Sequence, residues 1–319
     1  MNSITTIPSP DLPGDWRLPL PDPILLRAWS SSLALRASSQ ELATSTARMY
    51  QAGARRFLAW CAGASCHWLD PDSLRAWKAH ELQANKPASV NAWMSGIREL
   101  FAWLVETGQL PASPAAAVKG ASRKGKRSHH SREALTIEEM RRLLALPDTA
   151  TLAGKRDWAI LALMAYTGVR TIECYRAETK DLETRGGKLI LNIQGKGRTE
   201  ADEFVVIEPV PEAALHAWLA ARGSAPGPLF TSLSNRSQGE RLSLRALRWL
   251  VKRYYSLAGV VGNKTTHSLR HTAITTAILH GAPIQKVKAL ARHASLDTTM
   301  IYFHEIDRLS DPAEAYIEY

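Results

Sequence analysis

At 319 residues the chain has room for two ordinary domains, and a balance of 45% hydrophobic to 22% charged residues is that of a globular protein. No apolar run reaches the length of a membrane span and the amino terminus has no basic-then-apolar signal pattern, so the expected location is cytoplasmic and a membrane partner is not expected. A net charge of +10 with a pI near 9.6 favours a polyanionic partner, although charge alone would fit a membrane surface or an acidic protein as well as nucleic acid.

The first 24 residues hold Pro8, Pro10, Pro13, Pro19, Pro21 and Pro23, which predicts an extended arm. A helical domain is expected over 25–118. Met49, Tyr50, Gly53, Ala54, Phe57 and Cys61 share one helical stripe, with Arg48, Arg55 and Arg56 largely off it. Leu74 and Trp77 mark a shorter helix. Val90, Met94, Ile97, Phe101 and Leu104 form another stripe, stopped by Gly108 with Pro111 beyond. Cys61, Cys66 and Cys174 make no disulfide framework, and Cys61, Cys66 and His67 lack a fourth ligand at zinc-finger spacing.

Residues 119–134 change character: Lys119, Arg123, Lys124, Lys126, Arg127 and Arg132 stand among Gly, Ser and His. Such a segment is either a solvated linker or a strap held against phosphates. The second domain, 135–319, opens on a capping box at Thr136 and Glu139. Helices are expected over 158–166 (closed by Gly168), 211–221, 243–257, 267–280 and from 283 to about 292. Strands are expected over 188–194 and 204–207, joined by a turn that begins Gly195-Lys196-Gly197.

Four stretches of this domain carry the polar chemistry: Thr167-Gly168-Val169-Arg170 through Glu173, the turn at Lys196, His267-Ser268-Leu269-Arg270-His271-Thr272, and Ala291-Arg292-His293 leading to Tyr302. Each residue alone has an ordinary explanation. Arg170 could satisfy helix-end carbonyls, Lys196 could be a turn lysine, His267 and Arg270 a surface pair, and Tyr302 a core tyrosine.

Their order and spacing resemble the tyrosine site-specific recombinases, the phage integrase family. The run from His267 through Arg270, Gly281 and His293 to Tyr302 is similar to that family's second signature block, and Thr167 to Glu173 to its first. Ser39, Thr46, Tyr50, Phe57 and Trp60, with residues 100–114, are similar to its core-binding domain. The resemblance implies a mainly α fold: a helical, SAM-like core-binding domain plus an α+β catalytic domain with a small antiparallel sheet, forming a C-shaped DNA clamp.

It also implies roles. Tyr302 attacks the scissile phosphate to give a 3′-phosphotyrosyl link and a free 5′-hydroxyl. Arg170 and Arg270 clamp the non-bridging oxygens. Lys196 protonates the leaving oxygen, His267 assists proton transfer, His293 bonds a phosphate oxygen, and Glu173 braces Arg170. Arg48, Arg55, Arg56, Lys124, Lys126 and Arg127 become candidate contacts to the DNA backbone. The partners implied are duplex DNA with inverted-repeat core sites and a homotetramer in the synaptic complex, with room for an accessory DNA-binding protein. The tail from Ser310 to Tyr319 either docks on a neighbouring protomer or packs at home.

Physical chemistry supports these residue types independently. Phosphoryl transfer needs an in-line nucleophile and positive charge on the equatorial oxygens, which two guanidiniums supply as permanent planar forks. A phenol, with an ordinary pKa of about 10, needs a cationic surround or a base. No metal-ligand motif and no phosphate-cradling Gly-rich loop is present, so the expected chemistry uses no cofactor, metal or ATP.

Two departures from the family pattern stand out. Arg292 occupies a position where glycine is usual, which implies an altered local turn or an added phosphate contact, and the turn after Lys196 carries Glu200, Asp202 and Glu203 where basic residues are common. A shifted turn would make Arg198 the rival cation. Integration, excision or resolution of a mobile element or plasmid is the expected role. Two other functions use parts of the same pattern: relaxation by a type IB topoisomerase, and DNA binding without catalysis.

Overall fold

The computed structural model of the chain describes residues 20–122, 133–194 and 201–302, and the chain divides into two units, residues 1–126 and 127–319. The proline-rich stretch through Pro19, Lys124, Lys126, Arg127, Lys196, Arg198 and the tail from Ser310 lie outside the described residues.

The first unit contains α1 (Pro23–Ser38), α2 (Thr44–Ala64), α3 (Pro71–Ala84) and α4 (Pro87–Glu106). Helices α1, α3 and α4 each begin on proline, whose missing N–H and fixed φ suit the first turn. Asp22 and Asp70 cap two of them, with Asp22 accepting from the Ile24 amide at 2.7 Å. Pro23 therefore opens a helix inside the stretch expected to be an extended arm. The proline density there hid an Asp-Pro start signal.

The two expected apolar stripes face one another across α2 and α4. Phe57, Cys61, Met94, Ile97 and Phe101 are fully buried, with Trp77 of α3 edge-on to Phe57 at 5.6 Å between centroids. Gly53 and Gly96 let the two backbones touch. A Cβ on Gly53 would overlap the backbone of Trp93, and one on Gly96 the backbone of Tyr50. The first residues of the expected linker are held by this unit: Asn91 and Ala121 exchange two hydrogen bonds at 2.7 and 3.0 Å, and Lys78 donates to the Lys119 carbonyl at 2.9 Å.

The second unit contains α5 (Ile137–Ala145), α6 (Leu152–Thr167), α7 (Thr171–Arg176), β1 (Leu182–Arg185), β2 (Lys188–Gln194), β3 (Ala201–Val206), α8 (Pro209–Arg222), α9 (Leu244–Leu257), α10 (Thr266–Leu279) and α11 (Ile284–Ala291). Residues 296–302 are also helical. The capping box at Thr136 and Glu139 forms in both directions, at 2.9 and 3.1 Å. The strands make one antiparallel sheet in the order β1-β2-β3, with Ile190 opposite Val206 and a register irregularity at Ile193/Gln194.

Helix α6 is apolar on every side from Ala159 to Met164, so it can only be buried, and it packs on α8 and α10. Gly168 ends it in the left-handed region, φ 60°. That turn sinks Val169 into the core and leads the chain out at Arg170. The unit's core thus fixes where its first candidate catalytic residue emerges.

The α2–α4 contact can be tested directly. Gly53→Ala or Gly96→Ala should each destabilise the first unit by about 1–3 kcal/mol or more, because backbone must move to admit the methyl group. Gly63→Ala, on α2 but meeting nothing within 4 Å, should be neutral or slightly stabilising. Urea unfolding followed by tryptophan fluorescence separates them, and an unchanged midpoint for Gly53→Ala would contradict the close approach.

Candidate active site

Arg170 sits between α6 and α7 with its side chain about one-third exposed (31%). It is oriented by Glu173, one turn on. The Glu173 carboxylate accepts from the Arg170 guanidinium and from the Arg170 amide, both at 2.6 Å. The carboxylate itself is buried, so its charge must be met inside the fold.

Arg270 lies in the buried stretch of α10, only 2% exposed. Its guanidinium donates to the Gly168 carbonyl at the end of α6, at 2.7 Å, and to the Ala291 carbonyl at the end of α11. Two helix C-termini, each with carbonyls lacking intrahelical donors, converge on one cation. Burial, then the charges of Arg170 and Arg292, pull the Arg270 pKa down to about 10, while Glu173 and Tyr302 oppose this. It remains a cation at neutral pH.

Thr265 caps α10, its hydroxyl accepting from the His267 amide, and places the half-buried His267 in the first turn. The Thr171 hydroxyl donates to that of Thr266 at 3.0 Å, so the starts of α7 and α10 lie side by side. His267 is thereby carried on the same framework as Arg170 and Arg270.

Tyr302 ends the described part of the chain, 4% exposed, in a cluster with Ile274, Ile278, Val287 and Ala291. Its ring meets His271 at 4.7 Å and His293 at 6.2 Å between centroids. His293 is held in turn by Thr299, whose hydroxyl is 2.9 Å from Nδ1. Tyr302 is therefore a core tyrosine that also lies within electrostatic reach of Arg270.

Arg292 follows α11 in the left-handed region, φ 48°, with its side chain 3% exposed. It donates to Glu173 at 2.6 Å, and its carbonyl accepts from Arg170 at 3.4 Å. It does not offer itself as a surface phosphate contact.

Among the described residues, then, Arg170, His267, Arg270, His293 and Tyr302 all belong to one framework of α6, α7, α10, α11 and residues 296–302. Lys196 lies outside the described residues. Spacing did not single out His271 or Thr299, because neighbours in a helix point about 100° apart and only packing shows which one meets the tyrosine. Of the candidate DNA contacts in the first unit, Arg48 and Arg55 are exposed on α2. Arg56 is engaged within its own unit, donating to Glu81 at 2.7 Å and lying 4.4 Å over the Trp93 ring. No group of three His, Cys, Asp or Glu residues gathers into a metal-ligand cluster among the described residues.

The model of the phage integrase family matches residues 133–308. A tyrosine recombinase of Synechococcus elongatus is 31% identical over 277 residues, covering 81% of this chain and 83% of that protein. The fold is similar to that of XerH recombinase bound to palindromic difH substrate in a post-cleavage complex, with a TM-score of 0.70 at 19% identity over 94% of this chain and 90% of that one. It is also similar to a lambda integrase dimer bound to a COC′ core site, with a TM-score of 0.63 at 16% identity over 85% and 96% of the two chains.

The Glu173 pair makes stability depend on acid in a definite sense. Burial pushes this carboxyl up, but Arg292 and Arg170 outweigh it and hold the pKa below the ordinary carboxylate value. A folded pKa below the unfolded one contributes stability above about pH 4.3, lost as pH falls through the folded value. Glu173→Gln should therefore cost about 3–5 kcal/mol at pH 7, mainly by unpairing the buried Arg292 guanidinium. In unfolding experiments the gap from the wild type should narrow below about pH 4.3. A gap that stayed constant into acid would contradict the pairing.

Proposed function

This chain belongs to the phage integrase family of tyrosine site-specific recombinases, and from that premise we propose that it cuts and rejoins duplex DNA through a covalent bond to Tyr302. The observation that carries this reading is the seating of Tyr302 between α10 and α11, beside the buried Arg270 and against His293. A buried tyrosine is commonplace; one set against two imidazoles and within electrostatic reach of a buried guanidinium is not.

The phenol oxygen attacks the scissile phosphorus as the bond from phosphorus to the 5′-oxygen breaks. DNA is left joined through its 3′-phosphate to Tyr302, with a free 5′-hydroxyl on the other side. Arg170 presents a partly exposed fork to the phosphate, while Arg270 adds fixed positive charge from behind it. His267 handles the phenol proton, His293 donates to a phosphate oxygen, and Lys196 protonates the leaving 5′-oxygen. Attack by a 5′-hydroxyl on the phosphotyrosine reverses the step. The phosphodiester bond energy is kept in the protein–DNA link, so rejoining needs no ATP, and the arginines carry the charge stabilisation without a metal.

Duplex core sites are the proposed substrate and a synaptic tetramer the proposed assembly, with XerH on difH and the lambda integrase dimer on its core site as supporting parallels. The basic segment after Ser122 and the exposed Arg48 and Arg55 supply backbone contacts.

Trapping tests the reading. Incubated with a randomised library of nicked duplexes, the wild type should retain DNA through detergent denaturation, and sequencing that DNA should return one site. Tyr302→Phe should retain none. Retention by Tyr302→Phe at the wild-type level would overturn the nucleophile. With two copies of the recovered site in a supercoiled plasmid, recombinant circles are expected, and relaxation alone would overturn strand exchange.

A further inference from the structure

The two places where the sequence departs from its family pattern meet in the folded chain through Arg292 and Glu203, the last of the acidic residues Glu200, Asp202 and Glu203. Arg292 Nε lies 3.7 Å from a Glu203 carboxylate oxygen on β3, while Nη2 lies 2.6 Å from Glu173. Nη1 donates to the Leu290 carbonyl at 3.2 Å.

This arginine is held against two ordinary preferences. Its φ of 48° is one that glycine adopts at no steric cost and arginine does not. Its guanidinium is also almost wholly buried, which is unfavourable unless the charge is met. Burial lowers its pKa, with Glu173 and Glu203 opposing. A strained, buried cation persists where the surroundings over-determine it, and such positions gather at functional sites.

What surrounds it is the support of Arg170. Glu173 accepts from Arg170 and Arg292 together, and the Arg292 carbonyl accepts from Arg170 as well. With Arg292 removed, the Glu173 carboxylate would lose one of its two guanidiniums and β3 would lose its ionic tie to α7.

We propose that Arg292 is a positioning residue for strand cleavage: bridging Glu203 of β3 and Glu173 of α7, it fixes the carboxylate that aims Arg170 at the phosphate. Arg292 does not touch DNA. Glu203 belongs to the same device, supplying the second negative charge that three clustered arginines require. The acidic substitution on β3 and the arginine after α11 are thus two halves of one latch.

This inference rests on the recombinase reading, and the test keeps the two apart. The full chain and its variants are assayed on the duplex recovered by trapping, measuring affinity and the rate of covalent adduct formation at saturating DNA. Adduct formation by the wild type reports on the reading itself. Arg292→Gly should slow cleavage by about ten- to a hundredfold, as misaligned catalytic groups do. Its affinity for DNA should stay within about twofold. Arg292→Lys should recover part of the rate, since an ammonium keeps the charge but not the planar fork. Glu203→Gln should slow cleavage by about threefold alone and add nothing in the Arg292→Gly background, the signature of a shared interaction.

Wild-type cleavage by Arg292→Gly, a loss confined to affinity, or full additivity of the two changes would each overturn the latch. If Arg292→Gly fails to fold by circular dichroism, Arg292→Lys and Glu203→Gln decide the matter, because both leave the backbone turn intact. Wild-type rates from both would overturn the proposal.

Discussion

A guanidinium is costly to bury unless its charge is met, and around the candidate site the second unit meets it with two carboxylates, Glu173 and Glu203, and a set of helix ends. Glu173 carries Arg170 and Arg292. Arg270 is satisfied instead by the last carbonyls of α6 and α11. Since α6 is buried on every side from Ala159 to Met164, Arg270 ties the candidate site to the core of the unit. Tyr302 is then placed by packing on α10 and α11, the helices that carry and receive Arg270.

This arrangement explains how a cluster of arginines can be stable with no anion bound to it. Clustered positive charge repels itself, and the pKa of Arg270 is depressed first by burial and then by the neighbouring Arg170 and Arg292. Glu173, 2% exposed at its side chain, offsets it from within, and Glu203 does so from β3. A DNA phosphate entering the site would supply the next negative charge. Preorganisation here means that the cations are already paired and oriented, with Arg270 and Arg292 buried and Arg170 partly open to solvent.

Much of the fold was legible because caps and stripes are local. Thr136 with Glu139, Gly168, and the apolar stripes of α2 and α4 each announce themselves within a few residues, and the structure places them accordingly. The strand over Lys188–Gln194 was legible from its β-branched and apolar run. β1 was not, since Leu182–Arg185 is largely exposed and alternates nothing. Helix α1 was concealed by the prolines that precede and open it, and α6 begins earlier than expected because Thr151, not the apolar run, sets its start. At the site, the order of Arg170, His267, Arg270, His293 and Tyr302 was readable as a motif. The meeting of Arg292 with Glu203 was not, because residues far apart in sequence declare an ion pair only once folded. The same holds for the contact of His271 with Tyr302.

The central claim, that the protein holds DNA covalently through Tyr302, is tested most directly by mapping the bond. Adduct trapped on wild-type protein is digested with nuclease and protease, and the nucleotide-bearing peptide is sequenced by mass spectrometry. The account predicts a single modified peptide carrying a 3′-phosphonucleotide on Tyr302. A nucleotide on any other residue, or one attached through its 5′-phosphate, would contradict it.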